Sequence, residues 1–81
     1  MLSESEIMDQ LVAVFREFFH NDRLEISAAT TAKDVEGWDS LMHMNLILGV
    51  EKHFKVKFKL GEIVMMNNVG DLCALVQKHQ K

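Results

Sequence analysis

"DSLMHMNLILGVEKHF", residues 39–54, opens on a residue that favours a helix N-cap and continues as an apolar helical pattern. The aspartate side chain can accept from the free amides of a first turn, and Gly37 lets the chain turn just before it. The spacing therefore predicts a helix from Asp39 or Ser40 to about Phe54. At about 100° per residue the pattern separates two apolar stripes. Leu46, Ile47, Val50 and Phe54 form one, with His43 among them, and Leu41, Met44 and Leu48 form the other. One stripe can face a core while the second stays partly exposed.

The flanking segments fit around that helix. "SESE" at 3–6 has the spacing of a capping box, in which Ser3 accepts from the first-turn amides and Glu6 reaches back. Ile7, Leu11, Phe15 and Phe18, widened by Met8, Val12, Val14 and Phe19, then continue one apolar face to about Phe19. Residues 20–36 lose this period and read as a long loop with Leu24, Ile26 and Val35 turned inward. Loops of that length are uncommon in small domains and are often functional.

Beyond the central helix, "KVKFKL" at 55–60 alternates strictly, which alone is a strand signal. No second strand is present to pair with it. An extended connector, with Val56 and Phe58 inward and the lysines outward, fits better. A short helical segment near Glu62 to Met66 follows, and Asn67 or Asn68 can cap a last helix with Val69, Leu72, Cys73, Leu75 and Val76 on one side. The expected fold is all-α: a small four-helix bundle of three main helices and a short third one, with a long loop between helices one and two. Residues 1–81 are expected to form a single domain, since a chain of 81 residues holds only one small core.

Composition narrows the function. A 48% hydrophobic and 26% charged chain is an ordinary globular one. Cys73 is the only cysteine, so no disulfide can form within the chain, and a lone thiol suits a reducing compartment. The N-terminus is acidic where a secretory leader is basic, and the longest uncharged apolar run is too short to span a bilayer. A cytoplasmic protein without stable membrane insertion is expected. Residues 1–39 hold nine acidic and three basic side chains, whereas residues 40–81 hold three acidic and six basic. The net charge of -3 argues against nucleic acid, which attracts a positive footprint.

Ser40 is the residue whose place calls for a reason. A hydrolytic serine needs a base, an orienting acid and an oxyanion site. His43 lies three residues on, but within the core stripe, and "GWDSL" lacks the second glycine of a nucleophile elbow. Histidines at 20, 43, 53 and 79 and one cysteine give no zinc spacing. No catalytic residue and no metal ligand is assigned, and no catalysis by the chain itself is expected. At its plainest Ser40 is a helix-start residue beside its cap. Its position also suits a covalently attached phosphate, because first-turn amides and the positive dipole end favour an anion by about 0.3–1 kcal/mol.

On these residues the chain resembles the acyl carrier protein family, whose attachment motif is Asp-Ser-Leu at the start of its second helix. "GWDSLMHMNLILGVEKHFKVKF" carries the likeness, which extends through the first helix, the long loop and the terminal "NVGDLCALV". The resemblance implies that Ser40 takes phosphopantetheine from coenzyme A, through a phosphodiester made by a separate phosphopantetheinyl transferase. It implies that Asp39 caps the helix and helps present Ser40, and that Leu41, with Met42, Met44 and Leu48, meets partner enzymes. Acyl-loading, condensing or acyltransferase enzymes are the implied partners. The carrier is expected to be a monomer.

The sequence departs from the common fatty-acid pattern, whose second helix is rich in carboxylates. Here Met42, His43 and Asn45 occupy the first turns, and the fixed charges between Asp39 and Lys55 cancel. Docking is therefore expected to depend on the Leu41, Met44 and Leu48 stripe more than on steering by negative charge. Trp38 resembles carriers of dedicated pathways, such as polyketide, nonribosomal-peptide or specialised lipid assembly; its simplest duty is to pack the loop on the helix. Met44, Ile47, Met65 and Met66 are the candidate acyl cleft, methionine being adaptable in shape. The Lys55, Lys57 and Lys59 row is either a solvated face or a contact for an acidic partner or membrane surface. Two further readings stand beside the acyl carrier: a peptidyl or aminoacyl carrier of nonribosomal-peptide type, and an unmodified helical interaction module.

Overall fold

Ser3 starts the first helix as its side chain predicts: its Oγ accepts from the Glu6 amide at 3.2 Å, and the Glu6 carboxylate accepts from the Ser3 amide at 2.9 Å. The computed structural model describes residues 1–80 and places α1 at Glu4–Phe18, α2 at Ser40–Phe54, α3 at Leu60–Met65 and α4 at Val69–His79. A single 3₁₀ turn, Ala32–Asp34, lies in the long connection. No strand occurs among the described residues. The fold is the expected all-α bundle.

Each helix buries the face its spacing marks. Ile7, Leu11 and Phe15 of α1, Leu46, Ile47 and Val50 of α2, and Val69, Leu72, Cys73 and Val76 of α4 form one core, closed by Ile63 from α3. The bundle holds together because each helix turns an apolar face inward, where the others cover it. Cys73 lies inside this core with its Sγ donating to the Glu4 carbonyl, and burial pushes its thiol pKa up. That leaves it a small core side chain, not a reactive group.

The ends of α2 are set locally. Its C-cap, Lys55, is left-handed at φ 58°, and the Val56 amide returns to the Glu51 carbonyl. That turn releases the chain into an extended connector in which Val56 is buried and Phe58 half-buried, while Lys55, Lys57 and Lys59 face solvent. The alternation that mimics a strand thus serves a single extended segment packed on one side.

The long connection between α1 and α2 is more ordered than its lost periodicity suggests. Leu24 and Ile26 are half-buried and Val35 is buried. Arg16 Nε donates to the Leu24 carbonyl at 2.8 Å, and the first amides of α4 cross to the loop, Val69 to Thr30 at 2.9 Å and Gly70 to Ala28 at 2.8 Å. Gly70 is needed for that approach, because a Cβ there would stand 2.9 Å from the Ala28 carbonyl oxygen. Gly70→Ala is expected to lower stability by about 1–2 kcal/mol, the overpacking cost outweighing a gain of up to about 1 kcal/mol in helix propensity. A urea titration with an unchanged slope checks it.

α3 is short and needs outside support. Glu62 supplies it: the carboxylate accepts from the Lys59 amide at 2.9 Å, from Lys78 Nζ at 3.1 Å, and pairs with His79 Nε2 at 2.8 Å. These contacts, the Lys59 amide first, hold its pKa at about 2 against an ordinary 4.5. A folded-state pKa below the unfolded one gives stability that is present above about 4.5 and lost as pH falls toward 2. Glu62→Gln is expected to flatten the acid-unfolding curve across that window, followed by circular dichroism. An unchanged slope there would show that these contacts are too well solvated to matter.

Candidate functional site

The N-terminal end of α2 is held by its cap and by an aromatic cluster behind it. Asp39 Oδ1 accepts from the Met42 amide at 2.8 Å, which leaves the neighbouring Ser40 hydroxyl free of the capping duty. Gly37, at φ 91°, turns the chain so that Trp38 points inward and Asp39 and Ser40 outward. The Trp38 ring lies edge-on to Phe15 of α1 with centroids 5.3 Å apart, and near Phe19 at 6.3 Å. Its Nε1–H donates to His43 Nδ1 at 3.1 Å, with the two rings stacked. One tryptophan thus joins α1, the loop and the first turn of α2, and Ser40 stands two residues beyond it.

Ser40 is exposed, and its hydroxyl forms no hydrogen bond among the described residues. Beside it opens a cavity of about 500 Å³ between α2 and α3, whose walls include Trp38, His43, Met44, Ile63, Val64 and Met66. His43 shares that cavity but makes no hydrogen bond with Ser40, and its Nδ1 is already taken by Trp38. No carboxylate orients it. Among the described residues, no three His, Cys, Asp or Glu side chains converge as a metal site requires. What the geometry offers is a presented hydroxyl beside an apolar recess.

The expected cleft residues divide. Met44 and Met66 line the cavity. Ile47 is wholly buried in the core and forms no part of the wall, because it faces inward on α2 with Leu46. Met65 is 76% exposed and borders a different depression, with Gly61, Glu62 and Leu75. The reason is the end of α3: Met66 leaves the helix in an extended conformation and turns toward α2, while Met65 still follows the helical rotation outward. The wall beside Ser40 thus holds Ile63 and Val64 along with Met44 and Met66, while Ile47 and Met65 lie elsewhere. Sequence reading passed over Val64, although it lies within the expected Glu62 to Met66 segment, because it chose Met65 and Met66 for the adaptable shape of methionine.

On the outer face of α2, Leu41 is 75% exposed and Leu48 61%, with Met44 beside them. Met42 points to the other flank, half-buried in a groove between α1 and α2 near Val14 and Phe18. On α3, Leu60, Val64 and Met65 are also exposed.

The bundle thus presents an unengaged serine at a capped helix start, beside an apolar recess. Comparison with known proteins supplies the family. Residues 9–76 match the family model described as "phosphopantetheine attachment site". Among solved structures, the chain is similar to the solution NMR structure of the holo acyl carrier protein from Geobacter metallireducens, with 48% identity and a TM-score of 0.82. The similarity covers 88% of this chain and 82% of that one. No significant match was found among curated protein sequences. The chain belongs to the phosphopantetheine-binding acyl carrier protein family.

Its prosthetic group is phosphopantetheine, and the site fits one: a free hydroxyl for the phosphodiester, first-turn amides to favour its charge, and an open recess beside it. Proteins of this family work with phosphopantetheinyl transferases and with acyl-handling enzymes. Among the described residues no helix is long and apolar enough to cross a membrane.

Proposed function

We propose that Ser40 is the attachment residue, and that residues 1–81 act as one monomeric carrier domain in the cytoplasm, serving a dedicated lipid, fatty-acid or polyketide-type pathway. The observation that carries this reading is the state of the Ser40 hydroxyl, exposed and unbonded directly after the capping Asp39. Asp39 fixes the first turn and so fixes where the Ser40 Oγ points as the transferase forms the phosphodiester from coenzyme A. The bound arm supplies a thiol that holds the acyl group as a thioester. Tethering raises the effective concentration of that group at each enzyme's active site, and the linker reach sets how far it rises.

The dedicated-pathway reading is supported by the outer face of α2. Leu41, Met44 and Leu48 are exposed there, Met42 flanks them, and the one carboxylate within α2, Glu51, accepts from the Phe58 amide at 2.7 Å. A surface of this kind gives little negative charge for a basic partner to follow. Incubation with coenzyme A, magnesium and a promiscuous transferase is expected to add one phosphopantetheine, mapped by peptide mass to Ser40. Addition at any other residue would sink the assignment. Loading assays with acyl groups against amino acids then separate an acyl carrier from an aminoacyl one.

A further inference from the structure

The lysine side chains at and beyond the C-terminal end of α2 make no ion pair or hydrogen bond among the described residues. Lys52, Lys55, Lys57 and Lys59 are all exposed, and among the described residues none has a carboxylate within ion-pair distance. The two acids near them are engaged elsewhere, Glu51 with the Phe58 amide and Glu62 with Lys78 and His79. The connector is held by Val56 and Phe58, whatever faces outward. Four unpaired like charges in one short stretch repel each other, so they add nothing to the stability of the free chain.

They are also continuous with the apolar stripe. Leu41, Leu48 and Lys55 recur at seven-residue spacing, with Lys52 four residues after Leu48, so all four follow one side of α2 away from Ser40. Leu48, Lys52, Lys55 and Lys57 border one open depression of about 690 Å³. We propose that this lysine row is the outer half of the enzyme-docking face, and that it fits partner enzymes whose surface sets carboxylates beside an apolar patch. The proposal rests on the carrier reading and deepens it by giving the sign of the partner. Apolar contact lies near Ser40, and charge pairing lies at the far end of the helix. The rest of the chain is acidic, with a net charge of -3 overall, which disfavours a phosphate polymer and favours a partner with locally placed acids.

The test uses the full isotopically labelled chain and two synthetic amphipathic helical peptides, alike in their leucine stripe and differing only in flanking glutamates or lysines. The glutamate peptide is expected to bind at least about fivefold more tightly at low salt, with the advantage shrinking as salt screens it. Amide shifts should fall on residues 48, 52, 55 and 57. The double variant Lys52→Glu, Lys57→Glu avoids the left-handed Lys55 and should keep a dispersed amide spectrum while reversing the preference. Equal binding of the two peptides, or shifts confined to other surfaces, overturns the proposal. So does co-sedimentation with phosphatidylserine vesicles that the double variant abolishes, which would make the row a membrane contact, or dimerisation in ultracentrifugation that it abolishes. Phosphopantetheine loading is measured on the same samples. A chain that does not load removes the carrier reading and with it the enzyme role of the row, whereas a chain that loads but binds both peptides alike removes the row alone.

Discussion

Ser40→Ala is expected to fold as the wild type does and to take up no phosphopantetheine. The two halves of that outcome have separate causes. Stability should change by less than about 0.5 kcal/mol, because the hydroxyl is exposed, has no hydrogen-bond partner among the described residues, and alanine is well tolerated in a first helical turn. The cap is untouched, since Asp39 and not Ser40 accepts from the Met42 amide. Loading should fall to zero, because the neighbouring groups offer no substitute hydroxyl at that place: His43 Nδ1 is held by Trp38, and the Asp39 carboxylate is engaged with the Met42 amide. Intact mass before and after exposure to transferase and coenzyme A reads the loss, and circular dichroism reads the fold. A variant that is unfolded would mean that Ser40 has a packing role the structure does not show. A folded variant that still gains the arm would move the attachment site elsewhere.

The helices and the cap are legible in the sequence because both depend on residues close together in the chain. Ser3 with Glu6, Asp39 with Met42, and Asn68 with Asp71 each act over three residues, and the apolar stripes repeat every three or four. The same local logic separates the buried Leu46 and Val50 from the exposed Leu41 and Leu48 by periodicity alone. What the sequence hides depends on contacts across the fold. The Trp38 indole finding His43, the Gly70 amide finding Ala28 and Glu62 gathering Lys78 and His79 leave no periodic trace. The cleft shows the difference on one segment. Adjacent methionines at 65 and 66 look equivalent in the sequence, yet the helix end between them sends one to solvent and the other to the wall beside Ser40.

Phe15→Ala is expected to cost about 3–5 kcal/mol, the range for emptying a fully buried phenylalanine site. Phe15 is wholly inaccessible, sits on the core stripe of α1, and touches both Phe19, at 6.0 Å between centroids, and Trp38, at 5.3 Å. The cost comes from lost burial and from a cavity the bundle cannot close, because Trp38 is fixed on its other side by His43. Native domains are stable by only about 5–15 kcal/mol, and small ones lie toward the lower end, so this single change brings the chain near its unfolding threshold. The damage should also reach the site. With its edge contact gone, Trp38 can rotate, and the turn from Gly37 to Asp39 that aims Ser40 loses its backing. Trp38 is the only tryptophan, so its emission reports that environment while urea unfolding reports stability. The expected result is a lower midpoint together with red-shifted native emission. A nearly neutral change, with the emission maximum unmoved, would show that Phe15 is not the floor on which the tryptophan and the first turn of α2 rest.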